Sequence, residues 1–235
     1  MRLDHYLVNQ KLVKSRSEGQ DLIKQGLVLV NKKIIKKTGF DLGEKDLVEI
    51  TSPRLFVSRS GEKLKDAIDF FKIELQDKIV VDVGSSTGGF TDCALSYGAK
   101  IVYAYDVGTN QMNQILRQDS RVILNEQTNI LDVEIPKNDL IVIDVSFTSV
   151  KPILKHVANQ IEQAVILLKP QFETEGKNLK NGVLKSNKVV DQIIAEFVSF
   201  IKELDLQTLG FKPSRMRGKE GNLEYLFYLS RRVML

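Results

Sequence analysis

A series of short, almost uninterrupted apolar runs constrains the fold of this chain more than any other feature. They are Ile79–Val83, Ile101–Asp106, Val122–Leu124, Leu140–Val145 and Val165–Leu168, separated by stretches of helical spacing. A strand that is apolar on both sides needs cover on both faces, and parallel strands joined by helices meet that need. The pattern predicts an α/β domain with a mostly parallel sheet. Ahead of the first run, Gly61 to Lys72 places Leu64, Ala67, Ile68 and Phe71 on one helical face. Leu206–Phe211 and Tyr225–Leu229, with no long helix between them, predict an antiparallel closing hairpin.

Composition narrows the chemistry. Of 235 residues, 43% are hydrophobic and 27% charged, as in an ordinary folded protein. One cysteine, Cys93, excludes an intramolecular disulfide and a multi-cysteine zinc site, and at its helical position it is expected to be packed. The two histidines, His5 and His156, are read as surface or capping residues, and no metal site is expected. The opening MRLDHYLVNQ carries Asp4 and lacks the apolar core of a secretory signal. No apolar run approaches the roughly 18 residues of a membrane-spanning helix, so a cytoplasmic protein without a membrane partner is expected.

Charge is unevenly placed. Residues 1–60 hold 12 Lys/Arg against 7 Asp/Glu, whereas the remaining 175 residues sit at −1. A small basic head on a near-neutral body suits a polyanion-grasping module joined to one with another task. Within the head, residues 3–10 read as a helix, and Ser15 with Glu18 opens a second that stops at Gly26. Val28–Val30 and Ile34–Ile35 form a hairpin around Asn31, Lys32 and Lys33, and Leu47–Ile50 adds a strand. Most of the basic residues here have no obvious acidic partner. The order R-L-D-x-x-L-V, K-S-R and L-I-K-Q-G-x-V-x-V-N-K-K over residues 2–50 resembles the S-four type RNA-binding domain. That resemblance implies an α+β module meeting RNA phosphates through Arg2, Ser15, Arg16, Lys32 and Lys37. Thr51, Ser52, Pro53 and Arg54 break the periodic pattern, so the expected domains are 1–54 and 55–235.

In the body, the first strand runs into D-V-G-S-S-T-G-G-F-T-D, residues 82–92, and then a helix. A glycine-rich turn at the carboxyl end of the first strand is where a ligand approaches the backbone in an open α/β sheet. It matches neither G-x-G-x-x-G nor the P-loop pattern, so dinucleotide and triphosphate ligands lose their fingerprints. Asp106 ends the second strand 22 residues after Gly84, placed to accept ribose hydroxyls. A nucleoside without a triphosphate fits, and S-adenosylmethionine is one, with Asp82 near its amino-acid or sulfonium end. The loop residues expected around it are Gly84, Ser86, Thr87, Gly88, Gly89, Phe90 and Thr91, with Asn129 toward the adenine. Asp144 and Lys169 each end an apolar strand at the same edge, where burial disfavours charge unless the two pair. Ser146 and Phe147 flank the donor site, and residues 170–187, with three lysines, read as a loop over its edge.

Together V-S-R-S-G-E-K-L (57–64), the glycine loop, I-D-V-S-F (143–147), L-K-P-Q-F-E (168–173) and G-N-L-E-Y (221–225) resemble the haemolysin A (TlyA) family. Its body is of the FtsJ-like, Rossmann-like methyltransferase group. The resemblance implies S-adenosylmethionine-dependent 2′-O-methylation of cytidine ribose in ribosomal RNA, free or in subunits, with the large subunit favoured over the small. It carries a Lys-Asp-Lys-Glu tetrad onto Lys63, Asp144, Lys169 and Glu224. Ser60 stands where many relatives have glycine. On this reading Lys169 accepts the 2′-hydroxyl proton or orients the hydroxyl, with Asp144 and Lys63 as its electrostatic setting and Glu224 as a supporting or ribose contact. The alternatives are an RNA-binding protein without activity, a membrane-active haemolysin, and, more distantly, a dehydrogenase.

Overall fold

The computed structural model describes residues 1–51, 55–174 and 176–232. The chain divides into two compact units, Met1–Arg54 and Leu55–Leu235. Ser52, Pro53 and Arg54, which the sequence places in a linker, lie outside the described residues.

In the first unit, helices α1 (Leu3–Asn9) and α2 (Arg16–Gln25) pack together and precede strands β1 (Val28–Val30), β2 (Lys33–Ile34) and β3 (Val48–Ile50). The three strands form an antiparallel sheet in the order β2-β1-β3. Helix α2 starts where the Ser15 hydroxyl accepts the Glu18 N–H at 3.2 Å and ends at Gly26 in the left-handed conformation. Leu3, Leu7, Leu22, Ile23, Val28 and Val30 close the core. The hairpin turn is one residue shorter than the sequence suggests. Val30 pairs with Lys33, leaving Asn31 and Lys32 as the turn with φ of 50° and 65°. Two consecutive left-handed residues match the twist of the flanking strands, and asparagine tolerates that conformation.

A buried carboxylate organises this unit. Asp4 is fully buried, and it accepts from Arg2 Nε at 3.0 Å, Arg16 Nε at 2.8 Å and Gln20 Nε2 at 2.7 Å. The expectation that the basic residues of the head lack acidic partners is therefore corrected for Arg2 and Arg16. Arg2 stands two residues before Asp4 and Arg16 twelve after it, and the packing of α1 on α2 brings the second to the carboxylate.

In the second unit, α3 (Ser60–Phe71) precedes β4 (Ile79–Val83), α4 (Gly89–Ser96), β5 (Ile101–Tyr105), α5 (Gln114–Arg117) and β6 (Val122–Asn125). There follow β7 (Leu140–Ile143), α6 (Lys151–Val157), β8 (Gln163–Leu168), the short strands β9 (Leu179–Lys180) and β10 (Val183–Leu184), and α7 (Asn187–Glu203). Strands β11 (Leu206–Pro213) and β12 (Tyr225–Arg231) end the unit. Seven strands form one sheet in the order β11-β12-β8-β7-β4-β5-β6. The pairs among β4 to β8 are parallel, and β12 runs antiparallel to both β8 and β11. The expected hairpin is present, with its second strand inserted between the first and the rest of the sheet.

Alternate residues of each strand enter opposite cores, as the two-residue period requires. Val81, Val83, Ile141, Ile143, Ile166 and Leu168 pack with residues of α6 and α7, and Val80, Val102, Ala104, Val142 and Leu167 with residues of α3 and α4. The chain leaves β4 toward β5 and leaves β7 toward β8, on opposite sides. A crevice therefore opens at the carboxyl ends of β4 and β7, the place where ligands enter open α/β sheets.

Asp4 yields a prediction. Its carboxyl is held well below the usual carboxylate range, chiefly by the Arg2 hydrogen bond and against the effect of burial. A depressed folded value means that its stabilising contribution is present above about pH 4 and is lost as pH falls through that lower value. Asp4→Ala removes the shared acceptor and should cost about 2 kcal/mol in the first unit. Amide hydrogen exchange of the full chain should show faster exchange in α1 and α2 at neutral pH, and unchanged protection there would contradict the assignment.

Candidate active site

Two buried ion pairs stand at the carboxyl edge of the large sheet. Lys63 lies on the face of α3 that also buries Leu64, Ala67 and Ile68, so its stem is packed and its ammonium is carried inward. Its Nζ is 2.5 Å from Oε2 of Glu224, the residue before β12, and the two side chains are 6% and 3% exposed. Asp144 follows β7 directly and Lys169 follows β8. Lys169 Nζ lies 2.6 Å from Asp144 Oδ1, an ionic contact off the axis of a hydrogen bond, and donates to Ser146 Oγ at 2.8 Å. The register Tyr225↔Leu168 brings Glu224 and Lys169 to neighbouring strand ends. The sequence reading set Lys63 and Asp144 together around Lys169. The geometry pairs Lys169 with Asp144 and Lys63 with Glu224, the latter because α3 packs against β12.

Close packing holds these elements in place. A Cβ on Gly61 would lie 2.6 Å from the Gly89 carbonyl, so α3 and α4 approach through bare backbone. Gly84 has φ +84°, and a Cβ there would meet the Asp144 carbonyl at 2.7 Å. This is the close backbone approach for which glycine is required. The turn after β4 thus rests against the turn after β7. In the segment after Lys169, the Glu173 carboxylate accepts from the Ser149 hydroxyl at 2.6 Å and the Val150 N–H at 2.9 Å, tying that segment to the start of α6.

The loop residues divide into two groups. Phe90 is buried in the apolar core, Gly88 and Gly89 begin α4 against packed side chains, and Thr91 is fully buried with its hydroxyl donating to Asp82 Oδ2 at 2.6 Å. The side chains of Phe90 and Thr91 support the loop from behind, and Gly88 and Gly89 carry its backbone into α4. Ser86 and Thr87 are exposed on the loop. Asp106 turns toward them, its oxygens accepting the Ser86 and Gly108 N–H groups at 2.7 Å each. Asn129 is exposed and uses its side-chain oxygen to cap the 3-10 turn Ile130–Asp132 at Leu131 N, 3.1 Å. Phe147 is 90% exposed, with φ 64°, and its ring lies 5.3 Å from that of Phe172.

Asp82 is fully buried at the end of β4. Burial first, and the charges of Asp144 and Asp106 after it, push its carboxyl up to about 7 despite the Thr91 hydrogen bond. Among the described residues six buried side-chain atoms lack a hydrogen-bond partner, and four of them, Asp82 Oδ1, Ser85 Oγ, Asp144 Oδ1 and Gln171 Oε1, belong to the ends of β4, β7 and β8 and the turns that follow. Buried polar atoms without partners are uncommon and call for a ligand or water. A ligand with a cationic, N–H-bearing end and a ribose fits this set. Its charged end is matched by Asp82 and its hydroxyls by Asp106. Those are the features of S-adenosylmethionine. Sequence reasoning missed Ser85 and Gln171, although both lie inside quoted motifs, because only their lack of partners marks them.

In the first unit, Arg2 and Arg16 share Asp4, and each side chain remains nearly half exposed. The exposed Lys37 lies in the loop whose Thr38 and Phe40 carbonyls accept the Asp4 and Leu3 N–H groups. These three cations belong to one region. Lys32 stands apart at the hairpin turn, and the Ser15 oxygen is engaged as the cap of α2.

Residues 56–231 match the model of the FtsJ-like methyltransferase family, and residues 1–48 that of the S4 domain. Hemolysin A of Brachyspira hyodysenteriae is 40% identical, over 96% of this chain and 98% of its own length. The 23S rRNA (cytidine-2′-O)-methyltransferase TlyA of Campylobacter jejuni is 34% identical, over 97% of this chain and 98% of its own. A solved structure described as a hemolysin from Streptococcus thermophilus superposes with a TM-score of 0.78 at 34% identity, covering 99% of this chain and 88% of that one. Among the described residues no helix is long and apolar enough to cross a membrane. The chain belongs to the FtsJ-like methyltransferase family, within its hemolysin A and TlyA branch, and is an S-adenosylmethionine-dependent enzyme with an S4 domain ahead of its Rossmann-like unit.

Proposed function

We propose that this enzyme methylates the 2′-hydroxyl of a cytidine in large-subunit ribosomal RNA, acting in the cytoplasm on the RNA or on ribosomal subunits. The observation that carries the reading is the pair of buried Lys–carboxylate contacts beside the glycine loop, in a chain alike over nearly its whole length to a 23S rRNA (cytidine-2′-O)-methyltransferase. S-adenosylmethionine, when bound, supplies a methyl group on a positively charged sulfur. Asp82, Gly84, Ser85, Ser86 and Asp106 hold it. Asp82 faces its cationic end and Asp106 its ribose.

Lys169 has three N–H donors. One serves Ser146 and one side of the ammonium faces Asp144, which leaves a donor to fix the 2′-oxygen. As that oxygen loses its proton in the attack, Lys169 passes one proton to the Asp144 carboxylate and takes the hydroxyl proton in its place, so the net proton rests on Asp144 and the restored ammonium balances the developing charge. Lys63 and Glu224 hold the second wall of the site and limit water entry. Alignment of the two substrates supplies much of the remaining rate. Arg2, Arg16, Lys32 and Lys37 of the S4 domain contribute phosphate contacts and hence salt-dependent affinity.

Transfer of labelled methyl from S-adenosylmethionine to unmodified ribosomal RNA and to separated subunits tests the reading. The wild type should label 2′-O-methylcytidine in large-subunit RNA. Lys169→Ala should lower the rate on the order of 100-fold or more while S-adenosylmethionine binding persists. Label confined to small-subunit RNA, or to another nucleoside, would displace the substrate assignment, and an active Lys169→Ala would displace the residue.

A second prediction concerns Asp82. A carboxyl whose folded value is raised to about 7 takes up a proton on folding between about pH 4 and 7. Stability without ligand should therefore fall as pH rises through that window, by on the order of 4 kcal/mol. Asp82→Asn should remove this slope in thermal melts and weaken S-adenosylmethionine binding above pH 7. A variant that keeps the wild-type slope would show that another group titrates.

A further inference from the structure

The methyltransferase unit is not basic as a whole, yet two of its segments are. Residues 177–188 hold four lysines and no acid, and residues 212–220 hold four Lys/Arg and one Glu. Together they carry +7, so the rest of residues 61–235 stands at −8. The first segment contains the β9–β10 hairpin, and the second is the connection from β11 to β12. They are far apart in sequence and joined in the structure by one side chain. Asn222 is buried, its Oδ1 accepts the Leu184 N–H at 2.9 Å, and its Nδ2 donates to the Gly182 carbonyl at 2.9 Å. The side-chain amide thus pairs with the hairpin as a strand would. Asp66 of α3 anchors the other end of the connection, within 2.6 Å of Lys212 Nζ and 3.2 Å of Arg215 Nε.

Both segments adjoin the ion pairs. Glu224 lies two residues after Asn222, and a Cβ on Gly218 would sit 2.6 Å from Glu224 Oε1. Strand β10 packs on the turn Pro170–Phe172 that follows Lys169. Lys180, Lys185, Arg217 and Lys219 are exposed, and Arg215 keeps 81% of its side chain exposed despite its contact with Asp66. Concentrated cations on a rim held by fixed anchors, on an otherwise acidic body, suit a polyanion more than a surface that needs only solubility.

We propose that the β9–β10 hairpin and the β11–β12 connection, laced together by Asn222, form a second RNA-phosphate surface on the methyltransferase unit itself. It grips the backbone flanking the target nucleotide independently of the S4 domain. This rests on the RNA-methylating reading above, and its role is to seat the strand against the two ion pairs.

The test compares two quadruple variants of the full chain. One carries Lys180→Gln, Lys185→Gln, Arg217→Gln and Lys219→Gln. The control carries Lys72→Gln, Lys78→Gln, Lys100→Gln and Lys202→Gln, exposed positions that precede strands at the opposite edge of the sheet. Melting temperature and S-adenosylmethionine binding establish that both are folded. Affinity for unmodified large-subunit RNA is then measured against salt. The rim variant should bind at least 10-fold more weakly at 100 mM salt, and its slope of log affinity against log salt should be shallower by about 2 to 3. The control should match the wild type, and methyl transfer by the rim variant should show a raised KM for RNA. A rim variant with the wild-type slope and KM, in a preparation whose wild type methylates RNA, would overturn the surface and leave the reading intact. Equal losses in both variants would overturn it as a general charge effect. A wild type that labels no ribosomal RNA would overturn the reading and this inference with it.

Discussion

Lys63 and Glu224 are 161 residues apart, yet their side chains meet at 2.5 Å in a place almost closed to water. Removing two charges from water is costly, and a lone member would be worse than none. The contact is therefore acceptable only when everything that positions it is in place. Helix α3 must sit flush on α4, which the bare backbone at Gly61 and Gly89 allows. Strand β12 must pair with β8 in register, which brings Glu224 to the end of Lys169. Through α4 the same packing supports the glycine loop, and through Gly84 the loop rests on Asp144. The donor site and the two ion pairs are thus one assembly, built where the sheet changes direction.

Much of this is legible in the sequence because it is local. A five-residue strand, apolar but for Asp82 and running into glycines, announces its position in an α/β sheet, and the Ser15–Glu18 pattern announces the start of α2. What was not legible depends on contacts between distant elements. Asp4 lies two residues from Arg2 but twelve from Arg16, and no sequence spacing says how α1 lies on α2 to bring both arginines onto it. That Lys63 meets Glu224 was not legible for the same reason, since the partner of a helix residue depends on the strand its helix covers. Phe90 and Thr91 are expected as ligand contacts because the motif is contiguous, whereas both side chains lie on the first turn of α4 and are buried there. The unpartnered oxygens of Ser85 and Gln171 could not be found without coordinates, because they are defined by what fails to touch them.

The small unit uses charge differently from the large one. In the first, a single buried carboxylate orients two arginines and leaves nearly half of each in solvent, so the same contact that stabilises the unit presents cations outward. In the second, the lysines at the sheet edge are buried to 5% and 7% exposure and matched one to one with carboxylates. Partly exposed arginines suit attraction at a distance, and enclosed pairs suit chemistry at contact range.

The place of β12 bears on how the molecule is made. It follows every other strand in the chain but occupies an interior position between β8 and β11. During synthesis β4 to β8 can assemble as they emerge, leaving β8 as a raw edge and β11 without its neighbour. The sheet cannot close until residues 225–231 have left the ribosome, and Glu224 reaches Lys63 in that same late event. The Lys63–Glu224 contact is therefore among the last features of the sheet edge to form, after the strands that flank it have been made.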